Sequence, residues 1–210
     1  MTQDAPIRHR IEEAARVTMV GAAEIELEQM YDIPDLPPYE PYRGTLRGRV
    51  DFDAGRCFLA GAGEQLILDG ADEYRLHDGR WIVTRGAPGT QATMNPAWLL
   101  GVLARPDALI SATETDEGEI VADLDVAVAG RTAAAGISPD WRMVTRLRIA
   151  DGRITRMVLD ALDSESPQPR TSESFQLSPR ESIEPVEVPA GDSVVEGEEY
   201  IEERMHEGAE

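Results

Sequence analysis

The chain of 210 residues is long enough for one sizeable domain and a tail, since a domain of about 150 residues buries about 70% of its unfolded surface. Its formal net charge of -20 argues against binding to nucleic acid or to an anionic membrane surface, because both require clustered cations. Its single cysteine, Cys57, excludes an intramolecular disulfide and is interpreted as a small core residue.

The first part of the chain changes from helical to strand periodicity. An apolar stripe at helical spacing predicts a helix from Ala5 to about Val20. Strict alternation of apolar and polar residues then predicts strands from Glu24 to about Tyr31 and from Arg43 to Asp53. The proline-rich stretch between these strands, Pro34–Pro41, is predicted to be an extended loop.

Two aspartate–glycine dipeptides, Asp69-Gly70 and Asp78-Gly79, separate three short apolar runs. Such dipeptides favour the positive φ angles of tight hairpin turns, so this stretch predicts an antiparallel meander. Its strands and the strand before it are predicted at Arg56–Gly61, Gln65–Leu68, Glu73–His77 and Trp81–Thr84. The small and polar residues of Thr84–Thr93 are predicted to form a loop.

The second half begins with a short helix and continues with hairpins. Asn95-Pro96 predicts the start of the helix, and Arg105-Pro106 predicts its end. Asp151-Gly152 predicts a further hairpin turn. The predicted elements that follow the helix are strands at Ala108–Thr115, Glu119–Val128, Trp141–Ala150, Ile154–Leu162 and around Ser174–Leu177, a helical turn at Arg131–Gly136 and an extended segment at Ile183–Val188.

About ten short strands, one long N-terminal helix and one short central helix predict an α+β domain with a mostly antiparallel sheet over residues 1–189. Residues 190–210 are rich in glutamate and too poor in apolar side chains to build a core, which predicts a disordered tail. Two roles stay open for this acidic tail: a solvated end, or an arm that docks on a protein partner.

The sequence shows neither a membrane span nor a secretion signal. Its longest apolar run, Pro96–Ala104, is far short of the ~20 residues that a span requires. Arg8 and Arg10 are followed at once by Glu12 and Glu13, without the apolar segment of a signal peptide. The sequence as written therefore predicts a cytoplasmic protein that is not exported.

The order of these elements carries a few recognisable landmarks. They are Leu68-Asp69-Gly70 followed by Tyr74 and Trp81, then Trp98-Leu99-Leu100 with Leu103, hairpins closed at Asp151-Gly152, and the closing segment Phe175–Pro189, which ends in Pro185-Val186-Glu187-Val188-Pro189. Over residues 6–189 this arrangement resembles the LolA/LppX superfamily of lipoprotein carriers and actinobacterial cell-envelope lipoproteins.

The resemblance implies a strongly curved antiparallel half-barrel whose concave face, covered by helices, holds a lipid or another hydrophobic ligand. Such a groove gains about 0.8 kcal/mol per ligand methylene buried and needs no specific polar contact, so it leaves no motif. The resemblance also implies a place in the cell envelope, if a signal sequence was removed or the family role holds. The candidate groove residues are Val50, Phe52, Leu68, Tyr74, Trp81, Trp98, Leu124, Trp141, Met143 and Leu147.

A second interpretation keeps this fold but gives it no ligand. The concave face is then filled by its own side chains, with Trp81, Trp98 and Trp141 as core anchors. The protein is in that case a soluble interaction or regulatory protein that uses its surface and its acidic tail. The absence of an export signal favours this interpretation.

No arrangement in the sequence predicts catalysis, a metal site or a cofactor. His9, His77 and His206 share no metal-ligand spacing. The Asp51-x-Asp53 and Asp123-x-Asp125 pairs each place two carboxylates on one strand face, but a calcium site needs about six oxygens. We interpret them as solvated faces that pair with arginines on neighbouring strands, and we predict a non-enzymatic protein.

Overall fold

The structure is a computed structural model that describes residues 4–31, 42–61, 63–86, 94–133, 140–163 and 168–200. The predicted Pro34–Pro41 loop lies outside the described residues, as do most of the predicted Thr84–Thr93 loop and the end of the Arg131–Gly136 turn. None of the helices described is long and apolar enough to cross a membrane.

Helix α1 (Asp4–Thr18) turns its apolar stripe towards the sheet, and the predicted helix is confirmed. Ile11, Ala14 and Ala15 on this stripe are buried. At the end of the helix, the Thr18 hydroxyl donates to the Ala14 carbonyl oxygen at 2.6 Å and accepts from the Ile154 amide at 2.8 Å. The second bond ties the helix end to the strand that contains Ile154, which is distant in sequence.

One sheet of twelve strands occurs among the described residues. Its long strands alternate buried and more exposed side chains, because successive residues of a strand point to opposite faces. The strands are β1 (Ala22–Tyr31), β2 (Tyr42–Asp51), β3 (Arg56–Gly61), β4 (Glu64–Asp69), β5 (Asp72–His77), β6 (Arg80–Thr84), β7 (Leu109–Glu114), β8 (Ile120–Leu124), β9 (Arg142–Ala150), β10 (Arg153–Leu162), β11 (Thr171–Arg180) and β12 (Val194–Glu196).

The sheet consists of two meanders joined at β1. This strand pairs antiparallel with β2 on one side and with β11 on the other. From β2 the order continues through β3, β4 and β5 to β6, and from β11 it continues through β10, β9 and β8 to β7. All of these pairs are antiparallel, whereas β12 adds in parallel to β6 at one edge. The predicted α+β fold with a curved antiparallel sheet is confirmed, with twelve strands instead of about ten.

The central helix is confirmed, whereas the predicted strand Glu119–Val128 is wrong at its end. Helix α2 (Pro96–Leu103) begins as predicted, with the Asn95 side chain accepting from the Ala97 amide at 3.0 Å. Strand β8 stops at Leu124, and helix α3 (Val126–Ala133) follows. The Asp125 carboxylate accepts from the Val128 amide at 3.0 Å, so it caps a helix at a point where alternation alone predicts strand.

Two glycines allow β2 and β3 to approach each other closely. A Cβ atom on Gly48 would lie 1.7 Å from the Phe58 carbonyl oxygen, and one on Gly61 would lie 2.3 Å from the Thr45 carbonyl oxygen. Real Cβ atoms do not approach backbone this closely, so the local course of the two strands requires glycine at both positions.

The two faces of the sheet carry separate apolar clusters. The inner face, against which the helices pack, carries the main core; it joins Ile11 of α1, Leu99 of α2 and Val128 of α3 to strand residues such as Leu27 and Leu147. The opposite face carries a smaller group, which we call the outer cluster. It consists of Ile67, Tyr74, Val83 and Val186, with Phe58, Trp81, Val188 and Val194 packed against it.

Residues 182–190, which we call the C-terminal strap, cross the outer face. Arg49 on β2 fixes the beginning of the strap, because its Nε donates to the Glu184 carbonyl oxygen at 2.8 Å while its guanidinium lies 4.9 Å from the centre of the Phe58 ring. Val186 in the middle of the strap is buried in the outer cluster. The strap therefore supplies the apolar cover that this part of the outer face needs.

The prediction of disorder from residue 190 is wrong for residues 191–200. A 3-10 turn (Gly191–Ser193) leads into β12, and residues 197–200 are helical. The backbone of β12 pairs with the edge of β6, and Val195 is buried there. A three-residue edge strand requires few apolar side chains, so the low apolar content of this segment does not prevent it from forming β12. Residues 201–210 lie outside the described part of the chain.

We expect alanine substitutions at Gly48 and Gly101 to have opposite effects on stability. In Gly48→Ala the new methyl group meets the Phe58 carbonyl, and the resulting strain should lower the free energy of unfolding by about 1–3 kcal/mol. In Gly101→Ala the methyl group meets nothing within 4 Å inside α2, and the substitution should raise it by about 0.5–1 kcal/mol. Urea unfolding of both variants measures the difference, and two changes of the same sign would contradict this account.

Candidate functional site

Most of the predicted groove residues lie together on the inner face. Val50 on β2, Leu68 on β4, Leu124 on β8, and Met143 and Leu147 on β9 are all buried members of the main core. Phe52, in the turn after β2, packs against the same core, and Trp98 reaches it from α2. These residues share one apolar compartment between sheet and helices, and their contact with a ligand stays a prediction.

Tyr74 and Trp81 lie on the outer face, so the prediction that they line an inner groove is wrong. Tyr74 pairs with Ile67 on β4 and with Val83 on β6, and all three belong to the outer cluster. The Tyr74 hydroxyl accepts from an Arg85 guanidinium nitrogen at 2.8 Å. Trp81 packs beneath the C-terminal strap with the same cluster.

Hairpin register explains this error. The turn after Asp69 pairs Asp69 with Asp72, which puts Glu73 beside Leu68 on the inner face and Tyr74 on the outer one. The length of the turn between Leu68 and Glu73 determines which residues share a face, so turn spacing was the sequence signal that could have placed Tyr74 outward. Trp141, the remaining candidate, is half-buried just before β9 and belongs to neither cluster.

An unbroken apolar band crosses the inner face. Residues paired across strands share a face, and the register aligns apolar side chains on six adjacent strands. In spatial order the band consists of Ile120, Leu147, Met157, Phe175, Leu27 and Leu46. Every one of them is no more than 1% exposed. The pairing register thus creates one continuous apolar surface across six strands.

Two polar atoms are buried within this apolar compartment without a hydrogen-bond partner. They are Nε1 of Trp98, on α2, and the hydroxyl oxygen of Thr145, on the inner face of β9. A buried polar group that stays unsatisfied costs about 1–3 kcal/mol, and most such groups in folded proteins are paired. These two atoms are therefore positions at which a bound molecule would be stabilised.

A group of polar side chains on β1, β2, β4, β5 and β11 interrupts the apolar surface of the inner face. We call it the inner polar cluster; it consists of Gln29, Tyr31, Tyr42, Glu64, Glu73, Arg75 and Glu173. Sequence analysis missed it, because its members are spread along 145 positions between Gln29 and Glu173 and form no local pattern.

Tyr31 organises one half of the inner polar cluster. Its hydroxyl donates to a Glu173 carboxylate oxygen at 2.7 Å and accepts from the Gln29 amide nitrogen at 2.7 Å. Burial, together with the adjacent Glu173 carboxylate, raises the pKa of Tyr31 far above its usual range. Its ring stacks on Tyr42 with 6.0 Å between centroids. Tyr31 is therefore a neutral hydrogen-bond donor at neutral pH.

Glu73 and Arg75 form the other half. Glu73 is 3% exposed, and its Oε1 accepts from Nε of Arg75 at 2.9 Å. A second carboxylate, that of Glu64, lies 3.5 Å from Arg75. Burial raises the pKa of Glu73, and the neighbouring guanidinium only partly offsets this effect. The Oε2 atom of Glu73 is buried and accepts no hydrogen bond.

The outer face is polar where the C-terminal strap begins. A cavity of about 640 Å³ lies there, lined by residues of β1, β2, β11 and the strap. Its charges are already paired: Glu26 accepts from Arg47 at 2.8 Å, and Arg180 bonds to Glu24. The charged side chains around this cavity are therefore already partnered, unlike Oε2 of Glu73 on the inner face.

The predicted aspartate pairs serve the fold. Asp123 accepts from Arg142 at 2.7 Å and from Ser111 at 2.8 Å, as expected for arginines on a neighbouring strand. Asp51 and Asp53 bind the backbone amides of Ala54 and Gly21. Within the described ranges, no group of three or more histidine, cysteine, aspartate or glutamate side chains is placed to hold a metal ion.

Cys57 and the histidines are the remaining side chains that the sequence analysis considered for chemistry. Cys57 is buried in the main core, and burial raises the pKa of its thiol to about 12, as expected for a core residue. His9 and His77 are exposed on different elements, and His206 lies outside the described part of the chain.

No protein-family model matches the sequence, and no curated protein matches it. The fold is similar to that of LprF from Mycobacterium bovis, with a TM-score of 0.47 and 13% identity over 90% of this chain and 100% of that chain. It is also similar to a LolA superfamily protein from Nitrosomonas europaea, with a TM-score of 0.39 and 11% identity over 85% of this chain and 93% of that chain.

We expect Tyr31→Phe to lower the free energy of unfolding by about 1–3 kcal/mol, because it removes a buried donor to the Glu173 carboxylate. Tyr42→Phe is the matched control, since Tyr42 stacks on the same ring but is 41% exposed, and it should change stability by less than about 0.5 kcal/mol. Urea unfolding compares the two, and equal effects would show that the Tyr31 hydroxyl does not stabilise the fold.

Glu73→Gln should stabilise the protein increasingly as the pH rises. The raised pKa of Glu73 means that ionisation opposes folding: the contribution of this group is present below its unfolded-state pKa and is lost as the pH rises through the folded-state pKa. The uncharged glutamine lacks this loss, so the stability difference between the variant and the unaltered protein should grow as the pH rises from about 4 to neutral. Unfolding measured across this pH range tests the sign, and a difference that shrinks with rising pH would contradict it.

Proposed function

We propose that this protein is a non-enzymatic binding protein that holds a lipid or another hydrophobic ligand between the inner face of the sheet and the helices. The apolar band across six adjacent strands carries this proposal. An alkyl chain laid along such a band gains about 0.8 kcal/mol for each methylene that it buries. Two of the three helices that cover the band, α2 and α3, have only eight residues each, and the helices are the part of the fold that would separate to admit a ligand.

The buried polar atoms of this compartment support the same proposal. Nε1 of Trp98 can donate to an ester or hydroxyl oxygen, and the Thr145 hydroxyl can donate or accept. A ligand with a few oxygen atoms on a long apolar body would satisfy both atoms and cover the band. Such a molecule is an acyl lipid or a compound of similar shape.

Binding without catalysis is the corresponding proposal for the chemistry of the site. The ionisable groups of the inner polar cluster are Glu64, Glu73, Glu173, Arg75 and the two tyrosines. The histidines His9 and His77 are exposed, on α1 and at the end of β5. Tyr31, which bonds to both Gln29 and Glu173, has a pKa raised far above the range in which it would transfer a proton.

Native mass spectrometry of the purified protein, before and after organic extraction and after incubation with phospholipid, tests the proposal. We expect Ala122→Leu, which adds volume on the buried inner face, to reduce the bound lipid fraction at least about tenfold. Ala60→Leu is the matched control, because Ala60 pairs with Arg47 and Gln65 on the outer face. It should bind as the unaltered protein does.

Removal of residues 201–210 serves as a second control, because it takes away the acidic end and leaves β12 in place on β6. Lipid binding should survive this truncation. A protein that carries no lipid and takes none up, or an Ala122→Leu variant that binds normally, would argue for an inner face filled by its own side chains.

A further inference from the structure

We propose that Glu73 binds the cationic head group of an amphiphilic ligand, with a protonated amine as the simplest such group. This inference rests on the proposed function, since it names the class of molecule whose apolar part would lie on the inner face. Glu73 is a buried charged side chain that the register sets directly into the apolar surface, beside Leu68 of the main core.

The carboxylate of Glu73 has binding capacity that the fold leaves unused. The side chain is 3% exposed, and only its Oε1 is engaged, by Arg75 at 2.9 Å. Its Oε2 is buried and accepts no hydrogen bond. Carboxylate oxygens in protein interiors are nearly always hydrogen-bonded, because an unsatisfied charged acceptor is costly. A donor carried by a ligand would remove this cost.

The charges around Glu73 favour a cation over an anion. Arg75 already interacts with two carboxylates, those of Glu73 and of Glu64 at 3.5 Å. Glu173, reached through Tyr31, adds a third carboxylate to the same cluster. Three carboxylates against one guanidinium leave an excess of negative charge, so a phosphate or carboxylate head group would be repelled and an ammonium group attracted.

The place of Glu73 in the sheet explains how one molecule would contact both the Glu73 carboxylate and the apolar surface beside it. Glu73 lies opposite Leu68 and Arg75 lies opposite Leu66, and both leucines are buried members of the main core. A head group at Glu73 therefore puts the first carbons of an alkyl chain against these leucines. The chain then continues over β3 and β2 towards the apolar band at Leu46.

Dodecylamine, dodecanol and dodecanoic acid, compared by calorimetric titration at about pH 8 and below micelle formation, test the inference. We expect one saturable site that binds dodecylamine at least about tenfold more tightly than dodecanol, and dodecanoic acid more weakly than either. In Glu73→Gln this preference for the amine should disappear, while dodecanol should bind as before.

Glu64→Gln is the matched control for the general attraction of a cation to an acidic protein. It removes the same charge from the same cluster, but the Glu64 side chain is 45% exposed. It should reduce amine affinity by less than about threefold. If Glu64→Gln and Glu73→Gln weaken the amine equally, the inference is wrong and the proposed function stands. If none of the three probes binds the unaltered protein, the proposed function fails and the inference fails with it.

Arg75→Gln supplies a second variant that does not depend on the folding of Glu73→Gln. The guanidinium competes with a ligand cation for the Glu73 carboxylate, so its removal should tighten dodecylamine binding at least about threefold and leave dodecanol unchanged. Weaker binding of dodecylamine to Arg75→Gln would overturn the assignment of Glu73.

Discussion

The fold depends on the register of β1 between two strands that lie far apart in sequence. Leu27 on β1 pairs with Leu46 on β2 and with Phe175 on β11. Side chains alternate along a strand, so a slip of one residue would bury Glu26 and expose Leu27. The apolar side chains of both meanders can face the same helices only in this one register. The inner face is therefore mainly apolar, whereas the outer face is mainly polar.

The outer face is stabilised by other means. Pairs such as Glu26 with Arg47 and Arg146 with Asp160 join neighbouring strands, but each exposed pair contributes at most about 1 kcal/mol. The C-terminal strap adds burial where the meander of β3 to β6 has no helix behind it. Its Val186 fills the outer cluster, and the strap continues into β12 on the edge of β6. One segment thus covers an apolar patch and protects a strand edge that would otherwise be open to other chains.

The inner face combines two features that rarely occur together in a closed core. An apolar band crosses six strands, while Glu73, Glu173 and Tyr31 place ionisable groups on the same surface. A face that served packing alone would be more stable with apolar residues at these positions, since buried ion pairs are seldom better than apolar substitutes. The ionisable side chains within an apolar face are the structural reason for proposing a ligand there, because such departures from core composition concentrate at functional sites.

The sequence by itself determined where along the chain most helices and strands lie. The turn dipeptides, the two-residue alternation and the stripe of α1 placed nearly every strand and helix, because these are local consequences of backbone geometry. Tertiary structure decided what depends on partners far along the chain. Pairing across a two-residue turn sent Tyr74 outward and Glu73 inward, Asp125 ended a strand by capping a helix, and the edge of β6 ordered a tail whose composition indicates disorder. Tertiary structure also decided the inner polar cluster. The register of β1 with β11 places Gln29 beside Glu173, and no local sequence pattern indicates that these two distant residues are neighbours.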